Sequence, residues 1–182
     1  VVEAVDLVGL GAAVGDDASG VFIGRRSTIS STSGDITIVG YGGTDTNASG
    51  NTQFGVKVSD YLPFGSPSAT EISSTSGSIS ITCHGGHSGD GLSLSLATIA
   101  SGTGNINLTG TRGDSANYGE RGVVIENTQI STGGQIDRSV VANEKIGTIS
   151  ISGLGGIGGS GVELNDSNIK TAITVNGSVT GL

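Results

Sequence analysis

The chain has no methionine, no tryptophan, one cysteine, two prolines, three tyrosines and three phenylalanines. With Cys83 alone, no internal disulfide can form and no cysteine-based zinc site can be built. Two prolines leave the turns to glycine. Aromatics at 3% leave few platforms for sugar rings of the kind that polysaccharide-cleaving enzymes use. Positive charge is also scarce. Eight Lys and Arg stand against 16 Asp and Glu, a net charge of −8. Such a surface repels nucleic-acid phosphates and anionic lipid. No run of 18 apolar residues exists to span a membrane. There is no basic-then-apolar signal segment, and position 1 is not Met, so a processed product or a piece of something longer is expected.

Glycine is abundant, 34 of 182 residues, without a collagen-like period, and Ser and Thr are frequent. Such a composition can mean disorder. Against that, 34% of residues are apolar, and they are largely Val and Ile placed periodically. The stretch Ser33-Gly-Asp-Ile-Thr-Ile-Val-Gly40 returns as Ser76-Gly-Ser-Ile-Ser-Ile-Thr-Cys83. It returns again as Thr103-Gly-Asn-Ile-Asn-Leu-Thr-Gly110 and Ile146-Gly-Thr-Ile-Ser-Ile-Ser-Gly153. Weaker copies are Val5-Asp-Leu-Val-Gly9 and Ile173-Thr-Val-Asn-Gly177. Apolar and polar residues alternate between small turn residues, the pattern of a strand with one buried face.

Each main copy is preceded by a second run: Gly20-Val-Phe-Ile23, Gly55-Val-Lys-Val58, Gly91-Leu-Ser-Leu94 and Gly122-Val-Val-Ile125, with Gly161-Val-Glu-Leu164 before the last weak copy. Between the two runs sits a lone isoleucine: Ile29, Ile72, Ile99, Ile130 or Ile169. From strand one to strand two the steps are 8, 16, 7, 7 and 7, and from strand two to strand three 7, 7, 7, 19 and 4. Constant spacing at some corners and variable loops at others describe a solenoid.

Stacked coils place equivalent residues in columns about 4.8 Å apart. The predicted columns are Val21, Val56, Leu92, Val123, Val162; Ile23, Val58, Leu94, Ile125, Leu164; Ile29, Ile72, Ile99, Ile130, Ile169; Ile36, Ile79, Ile106, Ile149, Ile173; and Ile38, Ile81, Leu108, Ile151, Val175. The outward neighbours Thr37, Ser80, Asn107, Ser150 and Thr174 are polar. The expected fold is all-β: a right-handed parallel β-helix (β-solenoid) with three strands per coil and about five coils, residues 1–182 forming one solenoid segment. Corner loops 41–54, 83–90, 111–121 and 154–160 all follow strand three and should line one edge.

Repeats such as Ile29-Ser-Ser-Thr-Ser-Gly-Asp-Ile-Thr-Ile38 and Gln129-Ile-Ser-Thr-Gly-Gly134 resemble those of filamentous haemagglutinin-like bacterial exoproteins and related β-strand-repeat surface proteins. The resemblance runs over about residues 5–177. It implies a secreted, extracellular rod or fibre at the bacterial cell surface, often adhesive. The family's secretion module is not visible in the chain, and the Gly-rich corner loops exceed its tightest repeats.

The chain starts and finishes close to strand-three copies, with no capping helix in view. Uncapped rims imply continuation in a longer array or head-to-tail stacking of copies into a filament. Phe54, Tyr61 and Phe64 are candidates for lateral contacts.

Cys83-His84-Gly-Gly-His87-Ser-Gly-Asp90 holds both histidines of the chain. His84, His87 and Asp90 are the metal-ligand candidates. The plainer reading is a Gly-rich corner, with Cys83 in the place of Gly40, Gly110 and Gly153. Asp16, Asp17, Asp45, Asp114 and Asp166 are oxygen donors for calcium or simply a solvated acidic face; the calcium nonapeptide is absent. Acidic residues do not recur at one face as a hydrolase would need, so no catalytic residue is assigned. Gly153-Leu-Gly-Gly-Ile-Gly158 lacks the helix that a phosphate loop requires. The Asn-x-Ser/Thr sequons at Asn47, Asn107, Asn165 and Asn176 are expected by chance at this composition. A Ser/Thr face against ice or crystalline polysaccharide is a third option that lacks a regular Thr lattice. The expectation is a non-enzymatic structural protein without cofactor, self-associating end to end or continuing in a longer chain. The alternative is an adhesin whose corner loops touch a cell-surface glycan or protein.

Overall fold

The computed structural model describes residues 4–12, 18–24, 26–46, 53–59, 70–113, 120–133, 147–170, 173–176 and 179–180, with side chains described as far as Lys170. The chain enters through β1 (Val5–Leu10). The first full coil is β2 (Val21–Gly24), β3 (Thr28–Ser31) and β4 (Ile36–Tyr41). The second is β5 (Val56–Ser59), β6 (Thr70–Ser74) and β7 (Ile79–His84). The third is β8 (Leu92–Ser95), β9 (Ala97–Ser101) and β10 (Ile106–Thr111). The fourth is β11 (Val123–Glu126), β12 (Gln129–Thr132) and β13 (Ile149–Leu154). The fifth is β14 (Val162–Asn165), β15 (Asn168–Lys170) and β16 (Ile173–Asn176), and β17 (Val179–Thr180) follows.

Every strand pairs in parallel with its counterpart one coil away. Among the described residues, β2-type and β4-type strands form six-stranded sheets, and β3-type strands form a five-stranded one. The result is a right-handed, three-sided parallel β-helix, and no described residue is helical. Accordingly, among the described residues no helix is long and apolar enough to cross a membrane.

The register follows from the side-chain period of two. Ile36 lies beside Ile79, Ile79 beside Ile106, and Ile106 beside Ile149, with Ile173 continuing the backbone pairing. A slip by one residue would turn each column to solvent and its polar neighbours inward, so the apolar rows hold the pairing. The column residues of the middle coils are buried, most of them completely. Val21, Ile29 and Ile169, in the outer coils, are partly buried, as are Val5 and Leu7, which extend two columns into β1.

Three features were not apparent from the periodicity. Strand three runs further than its apolar core, through Gly40–Tyr41, Cys83–His84, Gly110–Thr111 and Gly153–Leu154. Cys83 and His84 thus belong to a strand rather than to the loop assigned from sequence. A further strand-one copy, β17, pairs with β14. Finally, the core includes a column of hydroxyls, Ser31, Ser74, Ser101 and Thr132, all buried. Ser31, Ser74 and Ser101 accept the N–H of Gly34, Gly77 and Gly104 at 3.0, 2.9 and 2.9 Å. Ser74, Ser101 and Thr132 donate to the carbonyls of Gly34, Gly77 and Gly147 at 3.2, 2.9 and 2.8 Å. Buried hydroxyls and turn amides satisfy each other there, which removes the penalty of burying either alone.

The outer side of the next turn carries a matching ladder. Asp35, Ser78 and Asn105 side chains each accept the backbone N–H one coil on, from Ser78, Asn105 and Thr148, at 2.7, 3.2 and 2.9 Å. At the corner between strands one and two the chain takes a left-handed conformation at Arg26, Leu96, Asn127 and Asp166, with φ from 46° to 64°.

Candidate functional site: the corner after strand three

The corner loops continue the ladder beyond the strands. The N–H groups of Gly11, Gly42, Gly85 and Arg112 donate to the carbonyls of Tyr41, His84, Thr111 and Leu154, one coil on, at 2.7 to 2.9 Å. The loops therefore stack as the strands do, and the edge expected from their spacing is present among the described residues. Gly110 shows why glycine dominates its column: a Cβ there would lie 2.1 Å from the Gly122 carbonyl oxygen. Cys83 occupies the same register position, between Gly40 and Gly110. Its Cβ packs against Gly55, where an added Cβ would lie 2.8 Å from it, and its Sγ donates to the Thr109 carbonyl at 3.2 Å. Burial pushes the thiol well up from its ordinary range, against a smaller opposing effect of a Val56 backbone hydrogen bond. Cys83 is a packing residue, without thiolate character.

Along the outer rim of this edge run Leu10, Tyr41, His84, Thr111 and Leu154, in register. Leu10, Tyr41 and Leu154 are exposed. Between the second and third of these positions the loops part to leave a cavity of about 230 Å³, lined by Tyr41, Gly42, Thr44, His84, Gly85, Gly86 and His87. Its floor is rigidly tied. Gly86 and His87 donate their N–H groups to the carbonyls of Gln53 and Gly43, at 2.6 and 3.0 Å. Gln53 is fully buried; its Nε2 donates to the Asp45 carbonyl at 3.1 Å and its Oε1 accepts from the Ser88 N–H at 3.2 Å. One amide side chain thus joins the loop of one coil to the loop of the next.

The structure brings His84 and His87 to one cavity and takes Asp90 elsewhere. Asp90 is fully buried; its Oδ1 accepts the Arg121 N–H at 2.7 Å and its Oδ2 pairs with the Arg121 guanidinium at 2.9 Å. Arg121 also reaches Glu163 at 3.3 Å, and Glu163 accepts from Asn165 Nδ2 at 2.8 Å. Burial disfavours the Arg121 charge, but Asp90 and then Glu163 outweigh it and raise its pKa above the ordinary value. Asp90 is therefore half of a structural ion pair. Among the described residues no group of three or more His, Cys, Asp or Glu is placed to hold a metal ion. The three candidate ligands do not converge, because strand geometry puts Asp90 at the foot of strand one.

Other sequence candidates resolve similarly. Phe54 is buried, with Lys57 Nζ 4.6 Å above its ring, and offers nothing to a lateral partner. Tyr61, Phe64, Asp16, Asp17 and Asp114 lie outside the described residues. The Asp45 carbonyl serves Gln53, and Asp166 is an exposed left-handed turn residue. The Asp90–Arg121 pair escaped the sequence reading although a signal existed: both residues immediately precede the strand-one glycine, so they share one position in successive coils.

Comparison with protein-family models, with curated proteins and with solved structures finds no match.

Proposed function

We propose that this chain is a structural, non-enzymatic segment of an extracellular rod or fibre at a bacterial surface. The observation that carries the reading is the unbroken register of three parallel ladders over every described coil. Such a body gains stability by adding coils, whether from the same polypeptide or from a second copy stacked end to end. One further feature supports it. The two carboxylates nearest each other through Arg121 are engaged in holding coils together. The resemblance to haemagglutinin-like exoproteins supplies the expectation of a surface location.

A second reading is favoured by the corner cavity: the rod touches a saccharide at a cell surface through the loops after strand three. Electron micrographs of the purified native material test the first reading. Long, uniform filaments are expected from end-to-end continuation. Short discrete rods would leave the solenoid and remove the fibre. Release of reducing sugar from acidic polysaccharides, lost on changing a single aspartate, would overturn the non-enzymatic assignment.

A further inference from the structure

We propose that the cavity between Tyr41 and His87 is a subsite for a single uncharged pyranose ring, its apolar face laid on Tyr41 and its hydroxyls met by Thr44 and His87. The proposal rests on the second reading above, that the corner loops contact saccharide, and it names the ligand class and the residues.

The aromatic content makes the placement informative. Only three tyrosines occur in the chain, yet Tyr41 stands half exposed on the rim of a concavity walled by both of its histidines. A ring with one open face and hydrogen-bonding groups beside it suits an amphipathic ligand. Size narrows the choice. At about 230 Å³ the space falls below the range of about 300–1,000 Å³ that encloses drug-sized molecules. One sugar ring fills it, with the rest of a glycan running out over the edge.

Charge narrows it further. A glycine-rich loop often cradles phosphate or sulfate with free backbone N–H groups. Here those donors are spent: Gly42, Gly85, Gly86 and His87 all give their N–H groups to carbonyls of the neighbouring stacked loops or of Gln53. Among the described residues no Lys or Arg lines the space, and the chain carries a net charge of −8. Anionic ligands therefore find neither the backbone N–H groups of these four residues nor a positive field. No described Asp or Glu lines it either, so a cationic ligand finds no counter-charge there. The tied loops also mean that little order has to be imposed on binding. A shallow single-ring site binds weakly, and repetition of copies along a fibre would convert weak contacts into firm attachment.

Ligand-observed saturation-transfer NMR on the whole chain tests this, with the methyl glycosides of glucose, galactose, mannose and N-acetylglucosamine as probes. Inorganic phosphate and zinc serve as comparators, and protein-observed shifts of Tyr41 and His87 give a second readout that needs no variant. At least one glycoside should receive saturation on its ring C–H protons and shift both residues. Y41A should weaken that binding about two- to tenfold, through loss of the aromatic face the ring lies on. Y41F should keep it, and F22A, on a different sheet, should leave it unchanged. Binding indifferent to Y41A, without shifts at Tyr41 and His87, would overturn the site while leaving the second reading standing. Silence from all four glycosides would overturn both. Zinc or phosphate shifting the two residues where the glycosides do not would overturn the ligand class.

Discussion

Replacing Ile106 with alanine probes the middle of the stack. Ile106 is completely buried, with Ile79 on one side and Ile149 on the other in the same column. The change deletes three carbons, which at about 0.8 kcal/mol per buried CH₂ makes about 2.4 kcal/mol of lost transfer free energy. A cavity term adds to it. The flanking coils cannot close in, because backbone hydrogen bonds hold them at the strand spacing of about 4.8 Å on both sides. The total should therefore reach about 3–4 kcal/mol, within the range for Ile→Ala in rigid cores. Thr109→Ala, three residues along the same strand on the exposed face, should cost under about 0.5 kcal/mol. Equilibrium unfolding in urea, followed by circular dichroism, reads both from the midpoint. A repeat array can lose all-or-none behaviour, so coincidence with a second probe has to accompany the measurement. A cost below about 1 kcal/mol for I106A, or equal costs for the two variants, would refute the inward and outward assignment of this face.

Leu96 sits at φ 54°, where a β-carbon is strained by about 1–2 kcal/mol, and its side chain is exposed. L96N should raise the urea midpoint by an amount worth about 0.5–1 kcal/mol, as asparagine tolerates this conformation; a drop would argue against the turn. R121A removes the guanidinium charge from the buried Asp90 carboxylate while keeping the backbone N–H to Oδ1, and should cost about 3 kcal/mol, largely unrelieved by 1 M salt, whereas R121A with D90N should recover part of it. The Cys83 pKa is raised by burial, so the fold favours the protonated thiol. Its contribution is fully present below the unfolded pKa of about 8.5 and lost as pH rises beyond it, by about 1.4 kcal/mol per unit. C83A should flatten that alkaline decline, and identical pH profiles for the two proteins would contradict the burial.

The columns were legible because Val, Ile and Leu at period two carry their own register: Ile36, Ile79, Ile106 and Ile149 could be aligned from spacing alone. What lay between them was harder to read. The strand-three extensions end in Gly and polar residues, whose order comes from backbone bonds to the next coil rather than from any apolar signal. Nothing in the sequence marks Ser31, Ser74, Ser101 and Thr132 as core residues, since a hydroxyl is buried only when a turn amide is delivered to it, and that delivery is tertiary. Phe54 has the sequence context of a loop aromatic, and Lys57 covers it only after the coil has closed. The cavity depends on how two loops separate above a shared Gln53, and nothing in the order of glycines and histidines states that separation. Asp90 stands near the histidines in sequence, but its ion-pair partner lies 31 residues on, at the equivalent point of the next coil.

Methyl contacts along one column test the stacking most directly. With isoleucine Cδ1 groups labelled and assigned by single Ile→Val changes, nuclear Overhauser effects should link Ile36 to Ile79, Ile79 to Ile106 and Ile106 to Ile149. No effect should join Ile36 to Ile106, two coils apart at about 9.6 Å of rise. A spectrum in which Ile79 and Ile106 share no contact, or in which Ile36 reaches Ile149 directly, would contradict it.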